Sequence, residues 1–171
     1  MTTKRRRYPV GIQTFSEIIR GGYLYADKTD LMWQMQDYAK YIFLSRPRRF
    51  GKSLLTSTLE SYFKGERELF EGLKIMQKET AWDQYPVIRL DLSGAKHMPP
   101  DLVRKELELI IEPYEKLYHK NPSEVTPGMR FAGVVQRACE RTGQRVAVII
   151  DEYDAPLLEV LHEEEDQKSV V

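Results

Sequence analysis

The tripeptide Gly51-Lys52-Ser53 stands between a short apolar run, Tyr41 to Leu44, and a helical pattern that begins at Lys52. A buried strand, a tight polar loop from Ser45 to Phe50 and a helix opened by Gly-Lys-Ser form the context that a phosphate-binding loop requires. Unpaired amides at a helix start point at an anion, the helix dipole adds partial positive charge, and a lysine supplies a full one. Gly51 lets the backbone approach the phosphates with no Cβ in the way. Lys52 is expected to reach the β- and γ-phosphates, and the Ser53 hydroxyl to hold Mg²⁺. One position departs from the generic G-x-x-x-x-G-K-S spacing: residue 46 is Arg. With Pro47, Arg48 and Arg49 it makes a stiff, basic loop. Taken alone, the tripeptide also describes a helix start beside a surface lysine.

A second stretch, Arg145 to Asp154, strengthens the reading. Val146 to Ile150 is a β-branched apolar run with the length of a central parallel strand. Asp151 and Glu152 sit at its C-terminal end, the edge of an open α/β sheet where ligands collect. Asp151 is then placed to hold Mg²⁺, and Glu152 to polarise the water that attacks the γ-phosphorus. The bland alternative is an acidic, solvated turn that merely ends the strand.

RPRRFGKSLL and VIIDEYDAPL together resemble the AAA-ATPase-like family of bacterial P-loop proteins, in which a PD-(D/E)xK-type nuclease domain often follows the ATPase. Tyr8-Pro9-Val10-Gly11, Phe15, Ile18 and GGYLYADKT at 21–29 resemble the family's N-terminal signature. The resemblance runs from about 8 to 160, and Arg46 matches the family's own loop. It implies a P-loop NTPase-like, three-layer α/β/α fold with a parallel sheet, incomplete here, with strands near 41–45, 85–92 and 145–151. It also implies ATP and Mg²⁺ as cofactors. Lys52 and Glu152 are the expected catalytic residues, and Ser53 and Asp151 the expected metal ligands. Pro47, Arg48, Arg49, Phe50, Gly51, Lys52, Ser53 and Leu54 form the expected nucleotide-binding segment.

A chain of 171 residues with 42% apolar and 11% aromatic content has enough material for a folded core. Its formal net charge of zero gives no global field to recruit nucleic acid. The single cysteine, Cys139, excludes an intramolecular disulfide and fits a reducing compartment. No apolar run approaches the length of a membrane span, so a soluble cytoplasmic protein is expected. The three histidines are scattered without ligand spacing. Cys139 reads as a small core residue on a helix.

The expected organisation is a basic tail over 1–7, a family segment packed on the core over 8–40, the core itself over 41–162, and an acidic tail over 163–171. Phe15–Arg20 reads as a short helix, Tyr23–Ala26 as a brief strand and Asp30–Tyr38 as a helix. The helix after the loop ends at Gly65, and residues 66–76 read as a second short helical piece. Asp101 is the expected N-cap of a long helix that Pro113 should kink. Thr126 and Pro127 open the next helix, which Gly143 closes. Asp154 would cap a last one.

In similar ATPases the sheet order is 5-1-4-3-2, and this chain supplies strands 1, 2 and 3. The chain is therefore expected to be the N-terminal part of a larger protein, or to pair two strands differently, or to have its sheet completed by another chain. A homo-oligomer or such strand completion is expected. Besides ATP hydrolysis, two readings stand: a nucleotide-binding switch that does not hydrolyse, and an accessory to a nucleic-acid-processing nuclease. The second of these leans on Lys4 to Arg7.

Overall fold

The computed structural model describes residues 6–36, 38–45, 47, 50–96 and 98–153. They form two compact units, divided after Gln84.

In the first unit the pattern of large apolar residues yields three helices, α1 (Phe15–Arg20), α2 (Thr29–Met35) and α3 (Lys52–Phe63). Two 3-10 turns follow, Arg67–Phe70 and Lys74–Gln77, where a second helical piece is expected from the sequence. Phe15, Met32, Tyr62, Leu69, Phe70 and Ile75 make its core. The Phe15 amide donates to the Ser57 hydroxyl at 3.0 Å, which seats the start of α1 on α3. Gly65, at φ 70°, ends the α3 turn in a conformation that costs other residues a Cβ clash.

Two carboxylates tie this unit together. Asp27 accepts from the Thr29 amide at 2.9 Å, the Thr29 hydroxyl at 2.7 Å and the Lys74 amide at 2.8 Å. The Thr29 oxygen in turn accepts from the Ile75 amide at 3.1 Å. Glu79 accepts from the Tyr62 hydroxyl, from the Trp33 indole at 3.2 Å, and from the amides of Ala81 and Trp82. Burial pushes both carboxyls up, but the bonds to their charged forms outweigh it and hold both below the usual carboxylate range.

Two expected strands are absent. Residues 42–45 and Tyr23–Ala26 have no strand ladder among the described residues, and Tyr41 and Phe43 are exposed where a buried strand is expected. An apolar run becomes a strand only through a neighbour's hydrogen bonds, and no described strand supplies them.

The second unit is a mixed α/β arrangement. Its two strands, β1 (Val87–Asp91) and β2 (Ala147–Asp151), lie where the β-branched runs predict and pair in parallel, Val87 opposite Ala147 and Asp91 opposite Asp151. A parallel pair needs a long crossover, and α4 (Pro100–Tyr118) and α5 (Pro127–Thr142) provide it. Ile88 and Leu90 of β1, Ile111 and Tyr118 of α4, and Val134 and Ala138 of α5 form the core.

Helix boundaries follow local chemistry. Thr126 caps α5 by accepting from the Met129 amide at 3.2 Å, and Gly143 closes it at φ 66°. Asp101 is not the cap of α4. The helix opens at Pro100 after Pro99, and Asp101 lies in its first turn, where its charge faces the dipole favourably. The helix also runs through Pro113 without a break. Cys139, expected in the core, is exposed. It falls off the α5 face that carries Val134 and Ala138. The last expected helix, from Asp154, lies outside the described residues.

A buried ion pair and a half-buried one join α4 to α5 and its approach. Arg130 grips Glu115 through two bonds, at 2.8 and 2.6 Å. Arg137 holds Glu124 at 2.6 and 3.1 Å and also donates to the Tyr118 carbonyl. Gly133 accommodates this arrangement, since a Cβ there would lie 1.9 Å from Glu124 Oε1.

The Tyr114 hydroxyl closes the outer edge of β1. It accepts from the Arg89 amide at 2.8 Å and donates to the Arg89 carbonyl at 3.0 Å. Both groups point away from β2, whose bonds go instead to Pro86 and Leu92 at either end of β1. Tyr114→Phe should cost about 1–2 kcal/mol in urea unfolding, the penalty for leaving two backbone groups unmatched.

The bond from Arg130 holds the Glu115 carboxyl below its ordinary value, against the opposing effect of burial. A carboxyl lowered in the folded state stabilises above its unfolded value, and that contribution is lost as pH falls through the folded one. The melting temperature should therefore fall as the pH drops below the ordinary glutamate range. Glu115→Gln should flatten that fall while costing about 3 kcal/mol at neutral pH, since Arg130 is left without its charge partner.

Candidate functional site

The first group of site residues lies at the start of α3. Gly51 is its N-cap at φ 76° and ψ 27° and itself carries no side chain that could cap the helix. The left-handed conformation turns the chain sharply from the loop into the helix, and a Cβ at Gly51 would meet nothing within 4 Å. No Cβ projects from the N-cap, which is what close approach of an anion to the backbone needs.

Lys52 and Ser53 are the first two residues of α3 and are half-buried. Leu54 packs against the core of this unit, so its side chain anchors the helix, and a ligand could meet only its main chain. The Phe50 amide donates to the Pro47 carbonyl at 3.4 Å, and the Phe50 ring is exposed. Arg46, Arg48 and Arg49 lie outside the described residues.

The second group ends β2. Asp151 is buried, while Glu152 is half-buried. Asp151 Oδ1 accepts from the Glu152 amide at 3.1 Å. Glu152 adopts φ 51°, a strained conformation for a residue with a long side chain, and such strain gathers at functional positions. The strand ends at Asp151, and the chain turns at Glu152.

The structure thus brings Gly51, Lys52 and Ser53 together in one unit and Asp151 and Glu152 together in the other. Sequence reasoning missed Arg89, which lies on the Asp151 face of the sheet, 3.6 Å from Asp151 Oδ2. A lone arginine in an alternating strand looks like a solvent-facing residue, and only the register of the pair reveals its neighbour. Asp27 and Glu79 were missed too, although Asp-x-Thr just before a helix is a recognisable local hydrogen-bonding pattern.

Among the described residues, no three His, Cys, Asp or Glu side chains converge on one point. A groove is lined by Lys105, Glu108 and Glu112 of α4 and Arg130 of α5. No helix among the described residues is long and apolar enough to cross a membrane.

A family model described as "Predicted AAA-ATPase" matches residues 9–171. The chain is also similar to a protein of Azotobacter chroococcum mcd 1 described as "Uncharacterized protein in vnfD 5'region", with 35% identity over 161 residues. That match covers 92% of this chain and 31% of the relative, so the chain spans less than a third of the relative's length. No solved structure matches the chain.

Gly51→Ala tests whether the helix start needs its conformation. The space is open, so the cost should come from the backbone alone, about 1 kcal/mol in urea unfolding. A stabilising effect would show that the turn relaxes freely.

Proposed function

The chain belongs to the AAA-ATPase-like family, and from that premise we propose that it binds ATP with Mg²⁺ and hydrolyses it within a P-loop NTPase-like, three-layer domain. The observation that carries the reading is the start of α3, opened by a left-handed glycine and followed at once by Lys52 and Ser53. Amides of this turn and the Lys52 ammonium would hold the triphosphate, and the segment from Pro47 to Leu54 would wrap it. Parallel pairing of β1 with β2 supports the fold reading, because strands 2 and 3 are neighbours in the order 5-1-4-3-2.

The donor set fits Mg²⁺. The cation takes hard oxygen ligands and uses one or two protein groups beside phosphate and water. Asp151 offers a buried carboxylate at a strand's C-terminal end, and Ser53 a hydroxyl on the first turn of α3. When bound, Mg²⁺ would neutralise charge on the β- and γ-phosphates. Glu152 would orient the attacking water and accept its proton. Most of the rate enhancement would come from positioning and electrostatics, the ordinary case for phosphoryl transfer.

A second reading, a nucleotide switch without turnover, draws on the relative's length. More than two thirds of that protein lies outside the match, so groups that commit the γ-phosphate would have room elsewhere. In either reading β2 would accept a further strand, from a longer chain or another copy. Its residues Val148 and Ile150 are exposed at 41% and 47%, although they share a sheet face with buried Ile88 and Leu90.

Calorimetry with a non-hydrolysable ATP analogue and Mg²⁺ tests binding. Lys52→Ala should weaken it by roughly a hundredfold or more, the usual consequence of removing a charge paired with phosphate. Glu152→Gln should bind normally and slow phosphate release by about a hundredfold or more. Equal binding by Lys52→Ala would overturn the proposal. A wild-type chain that binds but releases no phosphate would favour the switch.

A further inference from the structure

We propose that Arg89 is the resident counter-ion of Asp151 and competes for that carboxylate with the divalent cation. This rests on the reading of Asp151 as a metal ligand and goes beyond it, because it assigns a role to a residue outside both sequence motifs.

The register fixes the geometry. Arg89 is opposite Ile149 and Asp91 opposite Asp151, so Arg89 and Asp151 are diagonal neighbours on one face. The guanidinium Nη2 stands 3.6 Å from Asp151 Oδ2. The other oxygen, Oδ1, accepts from the Glu152 amide, so the carboxylate presents Oδ2 to the arginine. The Asp151 side chain is 6% exposed and that of Arg89 26%, a setting in which solvent screens the pair weakly.

Arg89 is also anchored. Its amide and carbonyl both bond the Tyr114 hydroxyl, so the base of the side chain is held. At 3.6 Å the contact is an ion pair beyond hydrogen-bond length, an attraction without a directional bond. Such a partner compensates a buried carboxylate and yields to a stronger cation. Removing it acts twice in the same direction. The metal-free carboxylate loses its compensating charge, and the metal-bound site loses a repelling one. Both effects tighten metal binding.

Mn²⁺ is the probe, titrated into the chain and followed by the paramagnetic resonance of the free ion. Arg89→Gln should bind Mn²⁺ about tenfold more tightly than wild type, Arg89→Lys close to wild type, and Asp151→Asn far more weakly. Unchanged or weaker binding by Arg89→Gln, with Asp151→Asn still impaired, would overturn the role of Arg89 and leave the metal reading standing. Unaffected binding by Asp151→Asn would overturn both.

A second measurement needs no variant. In the wild-type chain the Arg89 side-chain ¹⁵N resonance should shift as Mg²⁺ is added, with the midpoint of the Asp151 carboxyl ¹³C signal. An unmoved Arg89 resonance beside a moved Asp151 signal would overturn the competition.

Discussion

Parallel pairing of β1 with β2 is the constraint on which the second unit depends. Antiparallel strands can join through a two-residue turn, but a parallel pair demands a long return path. That path supplies α4 and α5, the buried Arg130–Glu115 pair, the half-buried Arg137–Glu124 pair, and the Tyr114 hydroxyl that finishes the edge of β1. The same register carries Asp151 to the C-terminal end of its strand beside Arg89. Shifting it by one residue would turn Asp151 to the opposite face.

The first unit has no sheet among its described residues and is organised differently. Its aromatic core brings Phe15, Phe70, Tyr62 and Trp82 into ring contact, and two carboxylates fasten loops to it. Asp27 joins the start of α2 to the 3-10 turn at Lys74, and Glu79 gathers Trp33 and Tyr62 with the amides of Ala81 and Trp82. Carboxylates suit this work because each accepts several bonds at once, and donors lower the cost of burying the charge. The Ser57 bond to α1 thus holds in place the helix that begins at Lys52.

Features coded by neighbouring residues were legible in the sequence. Thr126-Pro127 and Gly143 delimit α5, Gly51 and Gly65 bracket α3 and its closing turn, and the β-branched runs mark β1 and β2. The family was legible for a related reason, since its signature lies in two contiguous stretches. Features that depend on a partner were hidden. Tyr41–Leu44 has a strand's composition, but composition does not reveal whether a neighbouring strand is present. Val148 and Ile150 look like buried core residues and are exposed, for their burial depends on what lies beside β2. Arg89 and Glu79 likewise gain meaning only from residues distant in the sequence.

The central claim is that the start of α3 receives a polyphosphate. The most direct measurement follows the backbone amide resonances of Gly51, Lys52 and Ser53 while a non-hydrolysable ATP analogue and Mg²⁺ are added. The account predicts large downfield shifts at these three amides, saturating together, as expected for donors that gain a charged acceptor. Saturable binding that leaves these amides unmoved and shifts others instead would contradict it.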